Sequence, residues 1–145
     1  MLQRGFMNPN KLVPELTVLD FEKAIQFYIE ILGFRISYER DGPRFVYLEY
    51  ESAQIMIEES HAGAWKTAEL SPPLGRGVNF QIEVSDVNLI LDKLAKAKYS
   101  LYREPRDVWY QSAAGVEGQR EFLVQDPDGY LLRFTQYLGT RAKAA

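Results

Sequence analysis

The sequence contains no cysteine and a single histidine, His61. The missing cysteines exclude disulfides, a thiol nucleophile and any thiolate-bound metal. One histidine excludes zinc sites built from several imidazoles. No apolar run approaches the roughly 20 residues of a membrane-spanning helix. Met1 to Lys11 carries charge but no apolar stretch of signal-peptide length. There is no long basic cluster either. Seventeen Lys and Arg against 20 Asp and Glu leave a formal net charge of −3, a poor balance for a general nucleic-acid binder. The expectation is a cytoplasmic protein with neither membrane nor nucleic acid as partner.

What is present is the composition of a folded chain: 145 residues, 46% hydrophobic and 13% aromatic. That length suits one domain or two small fused halves. LVPELTV (12 to 18) alternates as a half-buried strand does. Asp20 follows as a helix N-cap. FEKAIQFYIEIL (21 to 32) then puts Phe21, Ala24, Ile25, Tyr28 and Ile31 on one helical face, and Gly33 ends it. Three strands are expected next, FRISYER (34 to 40), RFVYLEY (44 to 50) and AQIMIEE (53 to 59).

After an irregular connection from Ser60 to Gly77 the pattern repeats. VNFQIEV (78 to 84) alternates, and Asp86 stands two residues after Val84 as Asp20 stands two after Val18. VNLILDKLAKA (87 to 97) is a second amphipathic helix. Strands SLYREP (about 100 to 105), REFLVQ and YLLRFTQ follow, the last two joined by Asp126-Pro127-Asp128-Gly129. The chain therefore reads as β-α-β-β-β twice, with modules 12–59 and 78–137 joined by the loop 60–77 in a single domain, 1–145. Each half alone has little core, so the halves are expected to pack together.

Period 2 splits each strand between two faces. Leu16, Val18, Ile55, Ile57, Phe80, Ile82, Val84, Leu132 and Phe134 form the apolar set. The opposite face gathers Glu15 and Thr17, then Gln54, Met56 and Glu58, then Asn79, Gln81 and Glu83, then Leu131, Arg133 and Thr135. Glu15, Glu58 and Glu83 would share one concave surface, with Arg133 the only cation in the set. Such a groove attracts a cation. Tyr38, Phe45, Tyr47, Trp65, Trp109 and Tyr110 could flank it and bind flat or cationic groups by stacking. Trp109 and Tyr110, in a segment without clear periodicity, read as a binding lip. His61 reads as a solvated loop residue. No nucleophile elbow, zinc helix or phosphate loop is present.

The paired modules, VPELTVLDFEKAIQFYIEILGF near the start and GQREFLVQDPDGYLLRF near the end, resemble the glyoxalase, bleomycin-resistance and extradiol-dioxygenase group, the vicinal oxygen chelate superfamily. The similarity is nearest to bleomycin resistance proteins and covers residues 12 to 137. It implies an α+β fold in which two βαβββ modules form an open, cup-like mixed β-barrel with the helices outside. It also implies a metal ligand on each of four strands in the metal-dependent members. The matching positions here are Val13, Met56, Asn79 and Arg133, a set with no hard anionic donor and one cation. The expected cofactor is therefore none and the expected metal none. The resemblance further implies a homodimer that sequesters a bleomycin-like drug, planar and cationic, without turnover. Tyr38 and Phe45 fall where the family places groove aromatics. A family tryptophan before the R-E-F motif is replaced by Gly118-Gln119, and Trp109 or Tyr110 is the candidate substitute. The alternatives are a metal-dependent glyoxalase- or dioxygenase-like enzyme using Glu15, Glu58 or Glu83, and a module that binds a protein partner.

Overall fold

The alternation in ELTV closes one side of a sheet: Leu16 and Val18 are buried, while Glu15 is exposed. This strand, β1 (Glu15–Val18), opens the computed structural model, which describes residues 8–141. The chain divides into two compact units between Leu74 and Gly75.

In the first unit Asp20 caps helix α1 (Phe21–Ile25), its Oδ1 accepting from Lys23 N–H at 3.0 Å. Such a cap is worth about 0.5–2 kcal/mol. The helix then widens into a π-helical segment, Gln26–Ile31. Leu32 N–H reaches back five residues to the Phe27 carbonyl at 2.9 Å. Widening shifts the buried face. Phe27, Tyr28 and Leu32 are buried, whereas Ile25 and Ile31, expected inside from a 3.6-residue period, are partly exposed. Gly33, at φ +93°, releases the chain into the left-handed region that glycine tolerates.

Strands β2 (Arg35–Arg40), β3 (Phe45–Tyr50) and β4 (Ala53–Glu59) complete a mixed sheet ordered β1-β4-β3-β2. β1 runs parallel to β4, and the other pairs are antiparallel. Val46, Leu48, Ile55 and Ile57 are buried on the helix side. Burying each such side chain contributes about 1.5–3 kcal/mol.

The second unit repeats the plan. β5 (Asn79–Glu83) is followed by helix α2 (Val87–Lys96), capped by Asp86 through Asn88 N–H at 2.9 Å. Val87, Ile90 and Leu94 are buried, while Ala97 is exposed where the helix ends. β6 (Arg103–Ser112), β7 (Gly115–Gln125) and β8 (Leu131–Arg141) give a second mixed sheet ordered β5-β8-β7-β6. Phe122 and Phe134 stack across β7 and β8 at 5.4 Å. At the Asp126–Gly129 turn, Asp126 Oδ1 accepts three backbone N–H groups, of Asp128, Gly129 and Tyr130, each at 2.9 Å.

The fold is thus α+β, two βαβββ units, and the connection after β4 is irregular as expected. β6 corrects the sequence reading, which stopped a strand near residue 105 and left Trp109-Tyr110 in a loop. The strand lies at the sheet edge, so neither face is buried and no hydrophobic alternation marks it. Pro105 falls in the register shift between Arg103 and Arg106, where an edge strand tolerates a missing donor. Among the described residues no helix is long and apolar enough to cross a membrane.

Candidate functional site

On the first sheet, the face away from α1 is built from two cross-strand rows. One runs Glu15, Met56, Tyr47, Tyr38; the next runs Thr17, Glu58, Phe45, Arg40. Glu15 and Glu58 are diagonal neighbours, and their carboxyls are hydrogen-bonded to each other. The Glu15 pKa is pushed up, first by partial withdrawal from water, then by the hydrogen bond and like charge of Glu58, with Arg40 opposing. His61 stands at the end of this row. Its Nδ1 accepts from Gly63 N–H at 3.1 Å, so the ring hydrogen sits on Nε2, 2.8 Å from Glu58 Oε1. Sequence reasoning set His61 aside as a solvated loop residue. It is half-buried and bonded to a carboxylate of the candidate site.

The aromatics of this face are layered. Tyr38 stacks on Tyr47 at 5.2 Å and lies 5.8 Å from Phe45. Tyr47 is buried, with its hydroxyl donating to Gln54 Oε1 at 2.8 Å. Phe45 is buried too, and the Arg40 guanidinium covers its ring at 4.2 Å. Phe45 and Tyr47 are therefore foundation, and half-exposed Tyr38 offers the open ring. Trp65 is 94% exposed in the irregular connection. A cleft of about 200 Å³ lies elsewhere, between α1 and the β2–β3 turn, edged by Phe21, Ile36, Glu39 and Arg44.

The second sheet has a different character. Its rows run Glu83, Thr135, Glu121, Arg106 and Gln81, Arg133, Leu123, Arg103. Glu83 lies on this sheet, cross-strand from Thr135. Arg133 is not the sole cation of its face. Arg106 binds buried Glu121 Oε1 through Nε at 3.3 Å and Nη2 at 3.2 Å, and Arg133 Nη1 lies 4.0 Å from Glu121 Oε2. Gln119 donates to the same Oε2 at 3.0 Å. Alternation in REFLVQ was the available signal: with Phe122 and Val124 inside, Glu121 must face the other way.

The expected lip is also corrected. Trp109 and Tyr110 are neighbours on a strand, so they point to opposite faces. Tyr110, opposite Glu117, shares the Glu121 face. Trp109, opposite Gly118, shares the α2 face, where the Arg141 guanidinium lies 4.0 Å over its ring. A Cβ built on Gly118 would fall 2.6, 2.6 and 2.7 Å from three indole carbons. The indole of β6 thus lies directly over the glycine of β7.

Of the four positions where the resemblance implies metal ligands, Val13 falls before β1 and not on a strand, Met56 lies on β4, Asn79 on β5, and Arg133 on β8 with its Nη1 4.0 Å from Glu121 Oε2. A thioether, a neutral amide and a cation do not suit a hard divalent ion. Among the described residues no three His, Asp or Glu side chains are grouped to hold a metal.

The model of the Glyoxalase/Bleomycin resistance protein/Dioxygenase superfamily matches residues 11–134, and the chain belongs to this superfamily. It is 29% identical over 128 residues to a probable lactoylglutathione lyase of Synechocystis sp., covering 83% of this chain and 90% of that one. It is 26% identical over 136 residues to the bleomycin resistance protein of Geobacillus stearothermophilus, covering 87% and 96%. Among solved structures, TioX from Micromonospora sp. ML1 superposes with a TM-score of 0.66 at 22% identity, over 90% of this chain and all (100%) of that one, a likeness of fold.

Proposed function

We propose that the protein sequesters a planar, cationic small molecule of the bleomycin class and releases it unchanged. The observation that carries this reading is the Tyr38 ring, stacked on buried Tyr47 beside the Glu15–Glu58 carboxyl pair on one sheet face. A rigid ring next to anionic oxygens suits a flat aromatic group attached to a cation, each stacking or cation–π contact being worth about 0.5–2 kcal/mol. The named bleomycin resistance relatives support the ligand class. The donor set at the implied metal positions favours binding over metal-dependent turnover. The indole over Gly118 supports the idea that Trp109 stands in for the tryptophan expected at that point of the family sequence.

In this reading the protein is a homodimer acting in the cytoplasm, with Tyr38, Glu15 and Glu58 as ligand contacts in the first unit. Phe45 and Tyr47 hold Tyr38 in place. Trp65, Glu83, Trp109, Tyr110 and Arg133 are further contacts to be tested one at a time. Calorimetric titration with metal-free bleomycin is the test, followed by chromatographic recovery of the drug. The expected result is saturable heat and intact bleomycin. Folded protein giving no heat, or a modified drug, overturns the reading.

A further inference from the structure

The second unit holds a hydrogen-bonding demand that its own residues do not meet. Thr135 is 1% exposed, and its Oγ1 has no hydrogen-bond partner. Two residues earlier on β8, the Arg133 Nε–H is also buried and unpartnered. Alternation puts both on the face away from α2, with Thr135 directly opposite Glu121 and Arg133 opposite Leu123. Buried polar atoms are nearly always paired, so two orphans on adjacent cross-strand rows mark a place where an acceptor is wanted.

Donor geometry specifies the acceptor. Glu121 is the internal anion of the cluster, and its oxygens are engaged by Arg106 and Gln119. Arg133 stands off from it, with Nη1 at 4.0 Å. Counting Arg103, Glu83 and Glu117, which the register places on the same face, three guanidinium groups stand against three carboxylates, and Arg133 has no close carboxylate of its own. The Arg106 and Arg133 side chains are 55% and 35% exposed, so both reach the surface although Arg133 Nε itself is buried. Guanidinium donors are spaced to match two oxygens of one planar anion, and a buried hydroxyl can donate to the same group.

We infer that the β7–β8 face of the second unit is a subsite for a carboxylate group of a small molecule, held by Arg133, Arg106 and the Thr135 hydroxyl. Arg133 is also a contact to be tested in the bleomycin reading, but that reading is carried by Tyr38, Glu15 and Glu58 on the other sheet, so failure of benzoate binding and failure of bleomycin binding are separable. Glu121 acts here as a resident competitor that holds the guanidinium groups until a ligand carboxylate shares them.

The test is a titration of the whole protein followed through the Nε–Hε NMR signals of its arginines, with benzoate, phenyl phosphate and benzylamine as probes. Benzoate is expected to move the Arg133 signal downfield saturably, and benzylamine to leave it in place. Thr135→Val, which keeps shape and removes the hydroxyl, weakens benzoate about tenfold, the scale of one lost hydrogen bond to a charged group. Glu121→Gln, if it folds, tightens benzoate by a similar factor, an effect that a merely structural Glu121 would not produce. No movement with benzoate, or equal movement with benzylamine, overturns the inference. Saturation by phenyl phosphate alone overturns the carboxylate assignment. Unchanged affinity in folded Thr135→Val also overturns it.

Discussion

Glu58 Oε1 lies 2.8 Å from His61 Nε2, while Nδ1 of the same ring accepts the Gly63 N–H at 3.1 Å. The ring is thereby fixed as the tautomer that donates to Glu58.

The Glu15–Glu58 pair has a pH signature. The folded pKa of Glu15 is raised above its ordinary 4.5. The associated stability is present below 4.5 and is lost as pH rises through the folded value. Glu15→Gln is therefore expected to be more stable than the parent at neutral pH. The gain shrinks to nothing as the pH falls below 4.5. Urea midpoints on both sides of that value check it, and an advantage that grew in acid would contradict it.

Arg40 covers Phe45 and adds positive charge to the face assigned to a cationic ligand. Arg40→Gln uncovers the ring and removes the opposing charge. Bleomycin affinity is expected to rise roughly threefold, the order of one exposed cation–π contact. Calorimetry reads the change, and weaker binding would show that Arg40 contacts the ligand favourably.

Asp126 is 3% exposed and gathers three backbone N–H groups at the β7–β8 turn. Asp126→Ala leaves those donors without their shared acceptor. Stability should fall by about 2–4 kcal/mol, as losing a buried, charged acceptor does. Denaturant unfolding measures it.

Tyr99 and Tyr130 have phenols pushed up to about 12, by burial first and then by the charges of Asp126 and Asp128. Folded Tyr99 and Tyr130 keep their protons where the unfolded chain loses them, so stability declines as pH rises above 10. Ultraviolet difference titration should show two of the nine tyrosines ionising late. In Asp126→Ala both are expected to ionise earlier.

The two β-α-β-β-β units were legible because Leu16 and Val18, Ile55 and Ile57, and Leu132 and Phe134 alternate with polar neighbours, and because Asp20 and Asp86 each precede a helix. The wide turn at Gln26–Ile31 was not, since a 3.6-residue template has no place for an extra residue per turn. REPRDVWYQS was unreadable as an edge strand, and with it went the Arg106–Glu121 pair and the placing of Trp109 against Gly118. Glu15 and Glu58 share one face of the first sheet, a placement that strand parity alone makes readable. Arg40 was legible by alternation two residues beyond Tyr38, but its cover over Phe45 was not, since a side chain's lean along the strand does not follow from spacing.

The central claim is that the β1–β4–β3–β2 face of the first unit takes a planar cation. NMR shift mapping of the full chain with metal-free bleomycin tests it most directly. The account predicts saturable shifts centred on Glu15, Tyr38 and Glu58, abolished or strongly weakened in Tyr38→Ala. Shifts confined to other surfaces, or none in the folded protein, would contradict it.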